Sequence, residues 1–190
     1  MSRAAKERLL QAAARLFYAR GIGATGIDTI TAEAGVAKMS LYNNFSSKDD
    51  LIQAYLVQRE QEWMGLYEAR VAQAESPMQR VLAVFDAYLD HAETAYRHSF
   101  RGCGLLNAAA ELASDSPGRQ RVRKHKEHVE ALLRQHLREV APDSQMWAEH
   151  FAFLLEGAVS RAGLEASPER LVRARKLASD MMGQLSSPSE

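Results

Sequence analysis

Residues 25–48 read TGIDTITAEAGVAKMSLYNNFSSK, and this stretch decides the fold. The first backbone N–H groups of a helix have no partner within it, and Thr25 and Asp28 offer side-chain oxygens where a short helix must begin. Ile27, Ile30 and Ala34 follow at a spacing of three to four, which predicts a helix over 27–34 with one buried face. Gly35 comes next, tolerant of the left-handed backbone a tight turn needs, and Val36 is placed to plug the corner. A second helix is predicted from about Ala37. Its Leu41 and Phe45 turn inward at i and i+4, leaving Lys38, Met39, Ser40, Tyr42, Asn43 and Asn44 outward. Two helices around such a turn make a helix-turn-helix, and the outward groups of the second are mostly able to reach nucleic acid.

Upstream, Leu9, Leu10, Ala13, Leu16 and Phe17 predict a helix over about 3–20, stopped by Gly21-Ile22-Gly23. Downstream of Lys48 a long helix carries Leu51, Ile52, Tyr55, Leu56, Trp63, Leu66 and Tyr67 on its apolar face. Ser-Pro pairs at 76–77, 116–117 and 167–168 are helix starts, since serine caps an orphan N–H and proline at the next position has none to leave unpaired. They predict helices over 77–96, 117–140 and 168–183. Ser144, after Pro142-Asp143, starts another to about 164, and a shorter one spans 104–113. No segment alternates β-branched residues, so the chain is expected to be all-α. The tail 186–190, SSPSE, has a disordered composition.

The chain has 190 residues, 46% of them hydrophobic, enough for a substantial core. Formal net charge is zero, so an affinity for nucleic acid must come from local placement. Residues 1–50 hold seven Lys/Arg against five Asp/Glu, a small asymmetry in the right direction. A single cysteine, Cys103, excludes an intrachain disulfide and suits a reducing compartment. The N-terminus has no apolar signal segment and no run approaches a membrane span, so a cytoplasmic location is expected.

Thr25, Ile30, Ala34-Gly35-Val36, Leu41-Tyr42, Phe45 and Lys48-Asp49-Asp50-Leu51 together resemble the DNA-binding domain of the tetracycline-repressor-like (TetR) family. The match extends back through Arg8-Leu9-Leu10, Ala13, Leu16-Phe17 and Gly21, about the first quarter of the chain. Gly26, Thr31, Ala37 and Met39 depart from the pattern, where Ser or Thr, Ala, Ser and Gly respectively are common. Met39 adds an apolar contact surface, so the departures bear on which bases are read.

The resemblance implies nine helices in two domains, a DNA-binding head over 1–48 and a ligand-binding and dimerisation domain over 49–185. It implies that Lys38, Met39, Ser40, Asn43 and Asn44 face the major groove while Thr25, Tyr42 and Lys48 bind phosphates. Trp63, Tyr67, Phe85, Tyr88, Leu89, Cys103, Leu105, Asn107 and Phe151 would line a pocket for a small apolar or aromatic effector, with His91 a further polar contact; by pattern alone they serve equally as filled core. Phe151, Leu154, Leu155, Ala158, Leu171, Ala174, Leu177 and Met181 on the last two helices either close the core or, as the resemblance implies, pack against a second copy. The expected protein is a homodimeric repressor on a palindromic operator, its two recognition helices roughly 34 Å apart, released by its ligand.

Other constellations carry less. Arg119, Arg121, Arg123, Lys124 and Lys126 form the densest basic run, but Arg123 and Lys126 have Glu127 and Glu130 four residues on, the spacing of ion pairs on a solvated face. His91, His98, His125 and His128 lack the partners of a closed metal site, so no metal or cofactor is expected. Cys103 precedes Leu105-Leu106 and reads as a packed thiol before a redox switch or nucleophile. No ordering of catalytic groups stands out. The rivals are a DNA-bound architectural or adaptor protein whose second domain holds a protein partner, and a small enzyme using Cys103.

Overall fold

Helix α1 (Arg3–Arg20) buries Leu9, Ala13, Leu16 and Phe17 along one face and stops at Gly21, whose φ of 90° no other residue type adopts comfortably. The computed structural model describes residues 3–95 and 100–185. Among them follow α2 (Ile27–Ala34), α3 (Lys38–Tyr42), α4 (Lys48–Val71), α5 (Pro77–Ala95), α6 (Gly104–Glu111), α7 (Pro117–Leu137), α8 (Ser144–Glu165) and α9 (Glu169–Leu185). These described residues contain nine helices and no strand, the all-α architecture expected. The expected tail, Tyr96 and His98 lie outside the described residues.

All three Ser-Pro starts work through the cap. The hydroxyls of Ser76, Ser116 and Ser167 accept from the backbone N–H groups of Gln79, Arg119 and Glu169 at 3.2, 3.2 and 3.3 Å. Gln79 reaches back to the N–H groups of Glu75 and Ser76, completing a reciprocal box at the head of α5. At α8 the cap is Asp143, whose carboxylate accepts from Met146 N–H at 3.0 Å, with Ser144 the first helical residue. Helix α7 ends at Leu137, where its carbonyl takes the N–H groups of both Val140 and Ala141.

By contact the described residues fall into two units. The first comprises residues up to Glu60 with Gly104–Val122, and the second the rest. This division differs from the boundary at 48 expected from sequence, for a packing reason. Leu51, Ile52, Tyr55 and Leu56 at the start of α4 are all buried, and Tyr55 meets Phe17 edge-on with centroids 5.4 Å apart, so this half of α4 belongs to the head's core. In the second unit, Phe85, Leu133, Phe151, Leu155 and Leu171 are fully buried. Two bidentate pairs fasten its helices, Arg70 on Asp90 and Arg175 on Asp86.

Candidate functional site

The turn of the helix-turn-helix forms as its sequence requires. Gly35 adopts φ 62° and ψ 41°, its N–H bonds to Ala32 O, and Val36 N–H bonds to Thr31 O at 3.0 Å. Helix α3 leaves this corner with Leu41 at 0% exposure, so its other side points away from the core. On that side Met39 is 69% and Tyr42 49% exposed, and Lys38 and Asn43 are exposed too.

The polar candidates differ in what they have left to offer. Thr25 is buried, and its hydroxyl donates to Gly21 O at 2.6 Å. It therefore does not cap α2, whose N-cap is Gly26 with no side-chain bond; it staples the turn between α1 and α2. Lys48, expected at a phosphate, sends its ammonium to Ile22 O at 2.7 Å. Asn44, expected in the groove, folds its amide back onto Ser40 O at 2.7 Å and closes the end of α3. Lys38 pairs with Asp28 at 2.7 Å, both exposed, and the hydrogen bond to that carboxylate raises its pKa. Groups free of such bonds within α3 and its cap are Met39, the Ser40 hydroxyl, Tyr42 and Asn43.

A residue far along the chain holds this head from behind. Glu111, at the end of α6 and in the same unit, accepts from Ile22 N–H at 3.1 Å and Gly23 N–H at 2.7 Å. Together with Lys48 on the Ile22 carbonyl it fixes both polar groups of that peptide segment. Nothing in the sequence near residue 111 signals the role, because the partners are backbone atoms about ninety positions away.

Within the second unit, Trp63 stacks on Tyr67 at 5.5 Å and 3°, meets Tyr88 at 5.3 Å, and takes His125 edge-on at 5.3 Å. Tyr67 hydrogen-bonds His136 at 2.7 Å. Burial, helped by the neighbouring Lys126, lowers the His125 pKa to about 3, and burial lowers that of His136, so both are neutral at pH 7. The indole N–H of buried Trp63 makes no hydrogen bond. Phe85 and Phe151 form a separate edge-on pair at 6.1 Å, Leu89 is half-buried, and so is Cys103. Leu105 and Asn107, expected with these aromatics, belong to the first unit, because α6 packs on α1. Sequence reasoning missed His125 and His136 as members of the cluster; their apolar neighbours at Val122, Val129, Leu133 and Leu137 were the available signal.

The basic run of α7 is divided among different tasks. Arg119 bonds to the carbonyls of Ala109 and Leu112, Arg121 pairs with Glu60 at 2.8 Å, and Arg123 pairs with Glu127 at 3.4 Å as the spacing predicts. Lys126 does not take Glu130. It turns inward to Glu156 at 2.7 Å and the Tyr88 hydroxyl at 3.0 Å. Burial disfavours this ammonium, but its polar neighbours, among them the Glu156 carboxylate that it bonds, outweigh burial and hold its pKa well above the usual lysine value.

The last two helices divide the expected interface residues between two faces. Phe151, Leu155 and Leu171 are at most 1% exposed and Ala174 is 4%, so they close the unit's own core. The outward face carries the expected Leu154 and Leu177 with Phe153 and Arg161 along an open groove of about 550 Å³, also lined by the expected Ala158 and Ala174 and by Arg170 and Arg173. Phe153 and Leu177 are large, apolar and exposed, and Met181 is half-buried. Among the described residues no three His, Cys, Asp or Glu side chains come together as metal ligands, and no helix is long and apolar enough to cross a membrane.

Comparison with known proteins gives a consistent result. Residues 9–55 match the model of bacterial regulatory proteins of the tetR family, and residues 77–178 match that of the tetracyclin repressor-like C-terminal domain. A TetR-family transcriptional regulator from Streptomyces coelicolor superposes with a TM-score of 0.88 at 33% identity, covering 97% of both chains. The regulatory protein TetR from Rhodobacter sphaeroides superposes at 0.78 with 26% identity over 93% of this chain and 97% of its own. The transcriptional repressor KstR2 of Mycolicibacterium smegmatis is 32% identical over 112 residues, 59% of this chain and 53% of that protein. The transcriptional activator FasR of the same organism is 34% identical over 52% of this chain and 43% of its own. The chain thus spans about half the length of these curated relatives.

Proposed function

Because the chain belongs to the TetR family of DNA-binding transcriptional regulators, we propose that it is a homodimeric repressor that α3 seats in the major groove and that a small ligand releases. The observation that carries the DNA-binding part is the exposed face of α3, with Lys38, Met39, Tyr42 and Asn43 presented by a turn that Gly35 fixes. A second copy packed on the outward face of α8 and α9 would cover Phe153 and Leu177 and give the two heads of a two-fold operator.

The aromatic cluster of Trp63, Tyr67 and Tyr88, with its unpaired indole N–H, supports an apolar or aromatic ligand bearing a hydrogen-bond acceptor. A repressor and an activator both stand among the relatives, and the repressor reading follows the one matched over the larger share of this chain. Selection of bound duplexes from a random pool tests the head: a two-fold motif is expected, and binding without sequence preference would favour the architectural reading. For the ligand, reciprocity is the test, since a compound that weakens operator binding must bind the operator complex more weakly by the same factor.

A further inference from the structure

We propose that Met39 is a thymine reader. Resting on the DNA-binding function proposed above, its thioether packs against the C5 methyl of a thymine in the major groove of each half-site. Helix α3 has only five residues, and Leu41 is spent on the core. Of the polar groups around it, Lys38 is paired with Asp28, Asn44 with Ser40 O, Lys48 with Ile22 O, and Thr25 is buried on Gly21 O. What the helix holds out most is therefore apolar: Met39 at 69% exposure, with the Tyr42 ring at 49% one turn on. The polar groups left beside them for base edges are the half-buried Ser40 hydroxyl and the exposed Asn43 amide.

In the major groove the one apolar feature that distinguishes a base is the thymine methyl, and an unbranched, polarisable side chain adapts well to it. Asp28 adds to the argument. Its carboxylate lies beside Lys38 on the same exposed side and competes with phosphates and guanine for that ammonium. Specificity at this end of the helix thus comes from fitting a methyl group.

The test begins with an operator selected from a random duplex pool, and replaces each thymine of the half-site in turn by deoxyuridine, which removes only the methyl. For wild type, one thymine per half-site should show about a fourfold loss of affinity, the cost of uncovering one methyl. In Met39→Ala that position should bind thymine and uracil alike, while Met39→Leu should restore the preference. Met39 is exposed, so both variants keep the fold, and the thymine-to-uracil ratio is independent of any change in overall affinity. A half-site without thymine, a wild type indifferent to every replacement, or a Met39→Ala variant that discriminates as wild type does would each overturn the proposal. If no sequence is selected at all, the DNA-binding reading itself falls, before any replacement is made.

Discussion

The carboxylate of Glu111 lies 2.7 Å from the backbone nitrogen of Gly23, eighty-eight residues earlier, and holds the turn that leads from the first helix into the helix-turn-helix. The same carboxylate bonds to Ile22 N–H, so one side chain satisfies two backbone donors that no helix serves. A Cβ added at Gly21 would sit 2.5 Å from its oxygen. Glu111→Ala should destabilise the first unit by about 1–2 kcal/mol, charge-assisted bonds at a partly exposed site being at the lower end of their range. Amide exchange at Ile22 and Gly23 should accelerate in step. Unchanged exchange at both would show that the turn stands without its clamp.

Thr25 gives a prediction opposite to the one its sequence context suggests. Thr25→Val keeps the shape but removes the bond to the half-buried Gly21 O, at a cost of about 1 kcal/mol. Affinity for the selected operator, measured on folded protein, should be unchanged. A loss of affinity shared by all sites alike would return Thr25 to the phosphates.

On the last two helices, Phe153→Asp and Leu177→Asp should each yield folded monomers in sedimentation, because both side chains point outward and an unpaired charge in a dry seam costs several kcal/mol. Leu171→Asp should unfold the second unit instead, its side chain being 1% exposed. Dimers that survive both outward substitutions would place the interface elsewhere.

His125 makes stability depend on pH. Its folded pKa of about 3 lies below the value near 6.5 of the unfolded chain, so between these limits the unfolded state binds the extra proton. Stability is therefore complete above pH 6.5 and falls as the solution is acidified, by up to about 1.4 kcal/mol per pH unit. His136, also depressed, acts in the same sense. Urea unfolding from pH 7 to pH 5 should show the decline, and His125→Phe should flatten most of it. An equal decline in that variant would assign it to other groups.

The fold was legible because helix signals are local. Gly35, the three Ser-Pro caps and the apolar spacing of α2 each act within a few residues, and the structure reproduces them. The site was legible only in outline. Thr25, Asn44 and Lys48 are hydrogen-bonding residues at positions that look exposed in sequence, yet each is drawn to a carbonyl of the head itself. Lys126 had a plausible partner four residues away and took one thirty residues away, since Glu156 supplies the negative charge its buried position demands. The expected seam on α8 and α9 mixes inward and outward residues because both sides of α8 carry apolar residues, Phe151 and Leu155 inside, Phe153 and Leu154 outside.

The chain has two tryptophans, and both Trp63 and Trp147 belong to the second unit. Trp63 is 3% exposed and stacked on Tyr67 beside Tyr88 and a neutral His125. Indole emission is thus a built-in optical gauge of one half of the molecule. A compound entering the aromatic cluster will change its colour or yield, whereas melting of the DNA-reading head alone leaves it dark to the spectrometer. Fluorescence and far-ultraviolet dichroism, recorded on one sample, will trace separate curves wherever the two halves come apart at different temperatures, and no label is needed to tell them apart.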